Sequence, residues 1–191
     1  MDDNKIEEEL RLFSTTNKGY FKDREYWYSP RAVIPFKNQE IVFDYYTTYK
    51  QSGNLSLASS EARIFTQINL VESIHFEIKN KAFLDSFVNM IKGRRKMRVN
   101  DDNLNERFIF SSNNNREFQK LLTSEIVFQL KQMKEVNIFI SDYFGIWERP
   151  YFEGEHDLAA NYSSMNYNDM ILNLNLFELI INQMEKLNWI K

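Results

Sequence analysis

Five consecutive residues, Glu153-Gly154-Glu155-His156-Asp157, hold the densest set of groups able to do chemistry in this sequence. Two or three carboxylates beside an imidazole are donors that a divalent metal accepts, and they also suit an acid/base pair. A metal-assisted hydrolase built on Glu155, His156 and Asp157 would need further ligands from elsewhere, because neighbouring residues seldom converge on one point. The plainer expectation is a solvated loop, since long polar connections run over the surface. His75, the other of two histidines, alternates with Ile74, Phe76 and Ile78. It is expected to face solvent beside Glu77 and Lys79.

Two more clusters suit binding, not bond-making. Arg94, Arg95, Lys96 and Arg98 form the one basic concentration. They could hold anionic phosphate groups at a membrane surface through charge-assisted hydrogen bonds. A structural role competes with that reading, because cations at the end of a helix complement its dipole. Tyr20, Tyr26, Trp27 and Tyr28 sit in an aromatic run ended by Pro30. Tyr and Trp bury large area while keeping a polar tip, which suits a partner-binding site; the alternative is a segment that covers a sheet.

Catalytic signatures are missing. No Gly-x-Ser-x-Gly turn, phosphate-binding loop, dinucleotide fingerprint or helical zinc motif occurs. With no cysteine in the chain, disulfides, thiolate metal sites and a cysteine nucleophile are excluded. The reading therefore leans away from an enzyme, and no catalytic residue or cofactor is assigned. The formal net charge of −3 gives no overall field for nucleic acid, so none is expected as a partner. A non-catalytic protein-binding module with an unidentified protein partner is the leading expectation.

The elements that must position these groups follow from periodicity. With 43% hydrophobic and 15% aromatic residues in 191, the chain has material for a substantial core. A first helix is expected through Ile6, Leu10 and Phe13, then a loop over Ser14–Gly19. Period-two alternation over Ile41–Tyr49, Ala62–Leu70 and Ile74–Lys79 predicts antiparallel strands with one face on the core and one in water. A mobile tip is expected over Gln51–Asn54.

A helix over Lys81–Lys92 follows, capped by Asn80 and stopped by Gly93. Strands are expected at Lys96–Val99 and Arg107–Phe110 around the polar turn Asn100–Asn103. Helix is expected from Asn113 to Lys134, broken near Thr123-Ser124, then strands at Val136–Ile140 and Gly145–Glu148. Glu153–Tyr167 reads as irregular. Met170, Leu174, Phe177, Ile181 and Met184 give a closing helix one apolar face. Strands before helices predict one α+β domain over residues 1–191.

The acidic N-terminus does not look like a secretory signal, and the longest apolar stretch is broken by Asn173, Asn175 and Glu178. Cytoplasmic location without integral membrane association is expected. The segment Arg107-Phe108-Ile109-Phe110-Ser111-Ser112-Asn113, with Phe118, Leu121-Leu122, Ile126 and Leu130, resembles an uncharacterised bacterial domain-of-unknown-function family. The likeness extends to Gln39–Phe43, Glu61–Phe65 and the closing helix. It implies an α+β fold and brings no catalytic residues; many relatives carry membrane segments before this region.

Overall fold

A computed structural model describes residues 3–25, 29–52, 55–81, 95–141, 155–162 and 166–191. All of the expected helix Lys81–Lys92 beyond Lys81, the expected strand Gly145–Glu148, and Glu153, Arg94, Tyr26, Trp27 and Tyr28 lie outside these residues.

The chain begins with α1 (Asp3–Thr16) and continues through β1 (Tyr20–Lys22), β2 (Arg31–Phe36), β3 (Gln39–Ser52) and β4 (Leu55–Asn69). β5 (Phe76–Asn80), β6 (Arg95–Met97), α2 (Asp102–Arg107) and β7 (Phe108–Ser112) follow. Two helices, α3 (Asn115–Leu121) and α4 (Ser124–Gln132), precede β8 (Asn137–Ser141), β9 (Glu155–Tyr162) and the closing α5 (Tyr167–Lys186). This is the expected α+β class. Among the described residues the strands form one nine-stranded sheet in the order β1-β2-β3-β4-β9-β8-β5-β7-β6. Every pair is antiparallel.

One cross-strand row shows why the sheet holds. Phe21, Ala32, Phe43, Ile64, Ala160, Ile138, Ile78, Phe110 and Met97 lie opposite one another across all nine strands. Residues directly opposite share a face, and this face joins the core cluster. The helices close over it with Leu10 and Phe13 of α1, Leu104 of α2, Phe118 of α3, Leu130 of α4 and Phe177 of α5. The five residues expected on the closing helix's apolar face are all buried. That helix starts on a reciprocal capping box between Asn166 and Asp169.

Four local expectations are corrected. Helix α1 continues through Thr16, and the hydroxyls of Ser14, Thr15 and Thr16, which could have drawn the backbone into a loop, are satisfied instead by the Arg11 and Leu12 carbonyls within the helix. Of the expected tip Gln51–Asn54, Gln51 and Ser52 belong to β3 and pair with Ser56 and Leu55 of β4, while Gly53 and Asn54 lie outside the described residues. The turn expected over 100–103 leads into a short helix, capped by the Asp101 side chain accepting from the Leu104 N–H. Most consequential, 155–162 is a strand in the middle of the sheet, between β4 and β8.

Candidate functional site

The opposite face of the sheet carries its own complete row. Tyr20, Val33, Val42, Phe65, Ala159, Phe139, Glu77, Ser111 and Lys96 lie opposite one another from β1 to β6. It is apolar from Tyr20 to Phe139 and polar beyond. Tyr20 and Lys96, from two separate sequence clusters, thus mark the two ends of one row, about 38 Å apart as measured along the sheet at ordinary strand spacing. They cannot form one site.

This face does not simply meet water, as alternation alone would have it. Val33, Val42, Asp44, Lys79, Ser111, Asp157 and Ala159 are all buried on it. Asp44 is 1% exposed and Lys79 6%. Buried charge demands compensation. Arg63, opposite Asp44, donates Nε–H and Nη2–H to its two oxygens, and Arg31 approaches the same carboxylate at 3.6 Å. The Arg63 guanidinium also lies 4.4 Å from the Phe65 ring centre. Lys79 stands 3.9 Å from Glu77, toward which the Ser111 hydroxyl points at 3.4 Å. Sequence reading passed over Asp44 and Arg63; their signal was a charge on each of two adjacent long strands, which turn chemistry alone cannot align.

At the β1 end, Tyr20 is 39% exposed on the last strand of its side of the sheet. Its hydroxyl donates to Glu40 Oε1 at 2.5 Å. That hydrogen bond, with some burial and the carboxylate charge, pushes its pKa up to about 12. The Lys22 ammonium stands 5.3 Å from the Tyr20 ring centre. On the helix-covered side, the Arg11 guanidinium lies 4.1 Å from the Phe21 ring and also pairs with Asp23 at 2.9 Å. The edge is thus an aromatic strip flanked by cations.

The acidic triplet does not converge. In β9 the pleat puts His156 opposite Ile68 and Asp157 opposite Gln67, so the imidazole and its two flanking carboxylates leave by opposite faces. Asp157 is 7% exposed and lies between Gln67 and Ser141. The expected solvated loop is replaced by a central strand. His156 instead meets His75: the rings pack edge to face with centres 5.5 Å apart. Both histidines are half-buried, so His75 is not the solvent-facing residue that alternation predicts. It sits just before β5, where it is free of that strand's pleat. Among the described residues, no group of three or more His, Asp and Glu is arranged to hold a metal.

Of the basic concentration, Arg95 belongs to edge strand β6 opposite Ser112. Lys96 and Arg98 are exposed, and Arg98 reaches Asp102 at 3.2 Å. Among the described residues no helix is long and apolar enough to cross a membrane.

No protein-family model matches this chain, and no curated protein does. Among solved structures, the chain is similar to the crystal structure of the mycobacterial trehalose monomycolate transport factor A. The TM-score is 0.58, with 6% identity over 94% of each chain. Likeness at that identity shows a common fold and leaves the chemistry of any site open.

Proposed function

We propose that this chain is a non-catalytic protein-binding module that takes an extended segment of a protein partner along its β1 edge. The observation that carries the reading is Tyr20. It is exposed on an edge strand, at the head of an apolar row that runs inward through Val33, Val42 and Phe65. An edge strand offers backbone donors and acceptors to an added strand. Tyrosine supplies anchoring area with a polar tip. Tyr26, Trp27 and Tyr28, the further anchors expected from the sequence, lie outside the described residues.

The rival metal-assisted hydrolase loses support because its three residues leave β9 by both faces. Peripheral attachment to an anionic membrane has Lys96 and Arg98 as exposed cations, with Arg98 already beside Asp102. A similar fold bears the name of a transport factor, which is compatible with a binding role and names no partner for this chain. A bacterial, cytoplasmic setting and membership of the uncharacterised bacterial family belong to the same proposal; absence of cysteine suits a reducing compartment.

A photo-crosslinking amino acid placed at Tyr20, and separately at Phe128, tests the site in cells of the source. Phe128 is 64% exposed on α4 and serves as the control surface. The expected outcome is a specific protein adduct from position 20 and none from 128. Equal or absent adducts at both positions would remove the β1 edge as the binding site.

A further inference from the structure

We infer that His75 and His156 together form a binding site for one divalent transition-metal ion of the zinc, nickel or copper type. The inference rests on their pairing and is independent of the β1 edge. They are the chain's only two histidines, far apart in sequence, and their rings meet with centres 5.5 Å apart. A metal bound by one nitrogen of each of two imidazoles, at metal–nitrogen distances of about 2.0–2.1 Å in tetrahedral geometry, sets ring centres about 5 Å apart. The observed separation is within a side-chain adjustment of that value. Imidazole is the ligand this class of metals prefers, and water completes the coordination shell.

Both rings stand on firm supports. The backbone of His75 is clamped by Asn113: its N–H donates to Asn113 Oδ1 at 2.9 Å, and its carbonyl accepts from the Asn113 N–H at 3.1 Å. The Ser112 hydroxyl donates to the same carbonyl at 2.9 Å, and Asn113 Nδ2 donates to the Ser73 carbonyl at 2.8 Å. His156 is held in β9, paired with β4. Two ligands on rigid elements lose little entropy on binding, which is what makes a sparse ligand set effective. The ion would tie β9 to the entry of β5, two strands that the sheet separates by β8. Metal binding to this site therefore stabilises the folded chain.

Isothermal titration of the full chain with zinc sulfate or nickel chloride, in a non-coordinating buffer, tests this. One ion per chain is expected, with a rise in melting temperature. His75→Ala and His156→Ala should each weaken binding by more than the roughly tenfold that loss of even an outer-shell partner of a metal ligand costs. The double variant should be little worse than either single one, and binding should fade on acidification as protons compete for the imidazoles. Glu155→Gln and Asp157→Asn should bind as wild type, which separates this pair from a site on the acidic triplet. Where an alanine variant melts early without metal, the matching glutamine variant replaces it. Failure of the native chain to bind, wild-type affinity in either histidine variant, or equal loss in the carboxylate variants would each overturn the inference.

Discussion

Arg63 on β4 donates two hydrogen bonds, at 3.0 and 2.8 Å, to the Asp44 carboxylate directly opposite on β3. The carboxylate is buried while the guanidinium is about one-fifth exposed. Removing one member of such a pair leaves the other charge desolvated. Asp44→Ala is expected to cost about 3 kcal/mol in urea denaturation, the low end for a broken buried pair. The Asp44→Ala/Arg63→Ala double variant should lose less than the sum of the single losses.

Tyr162 of β9 ties the sheet to the closing helix. Its hydroxyl donates to Asn173 Oδ1 at 2.5 Å, while Asn173 Nδ2 donates to the Asp169 carbonyl at 2.8 Å. Burial pushes the phenol far above its ordinary pKa, so it stays a donor. Tyr162→Phe keeps the ring and removes the donor to a buried amide oxygen. A loss of about 1.5 kcal/mol is expected by chemical denaturation.

The Tyr20–Glu40 hydrogen bond gives a pH signature. Because the folded-state pKa is raised above its ordinary value of 10.0 to about 12, the folded state holds this proton more tightly than the unfolded chain. The resulting stability is fully present below pH 10 and is lost as pH rises through about 12. Glu40→Gln should bring the Tyr20 titration down, read by NMR of ring-labelled tyrosine, and flatten the alkaline loss of stability. An unchanged Tyr20 titration in that variant would reject the carboxylate as the cause.

Gly19 is placed where no side chain fits. A Cβ there would lie 2.2 Å from the Val33 carbonyl oxygen and 2.6 Å from Ile34 Cδ1. Gly19→Ala should destabilise by about 2 kcal/mol, the usual scale of overpacking. The shift should be concentrated in α1 and β1, as amide exchange would show.

Much of the fold was legible because its residues obey one period at a time. Met170 through Met184 announced α5, and Thr123 marked the break between α3 and α4 by its capping side chain. Strand β9 escaped because a central strand buried on both faces loses its alternation. Leu158, Ala159 and Ala160 are all buried, and two of the three are alanines with little strand preference. The acidic triplet was legible as polar chemistry, but its division between faces depended on a strand that its own residues did not announce. The His75–His156 contact was invisible for a related reason: it joins two segments through the sheet order, which local pattern does not encode.

That sheet order also sets a timetable for synthesis. As the ribosome releases the chain, β1 to β4 can zip into a meander by local hairpins, and β5, β7 and β8 can assemble next. Both units then present an open inner edge, because the strand that belongs between β4 and β8 is β9, made last. Until it emerges, two unsatisfied strand borders coexist in one nascent molecule, the condition under which chains pair with their neighbours instead of themselves. β9 behaves as a zipper slider: its late arrival converts two half-sheets into one and withdraws both borders from any competitor.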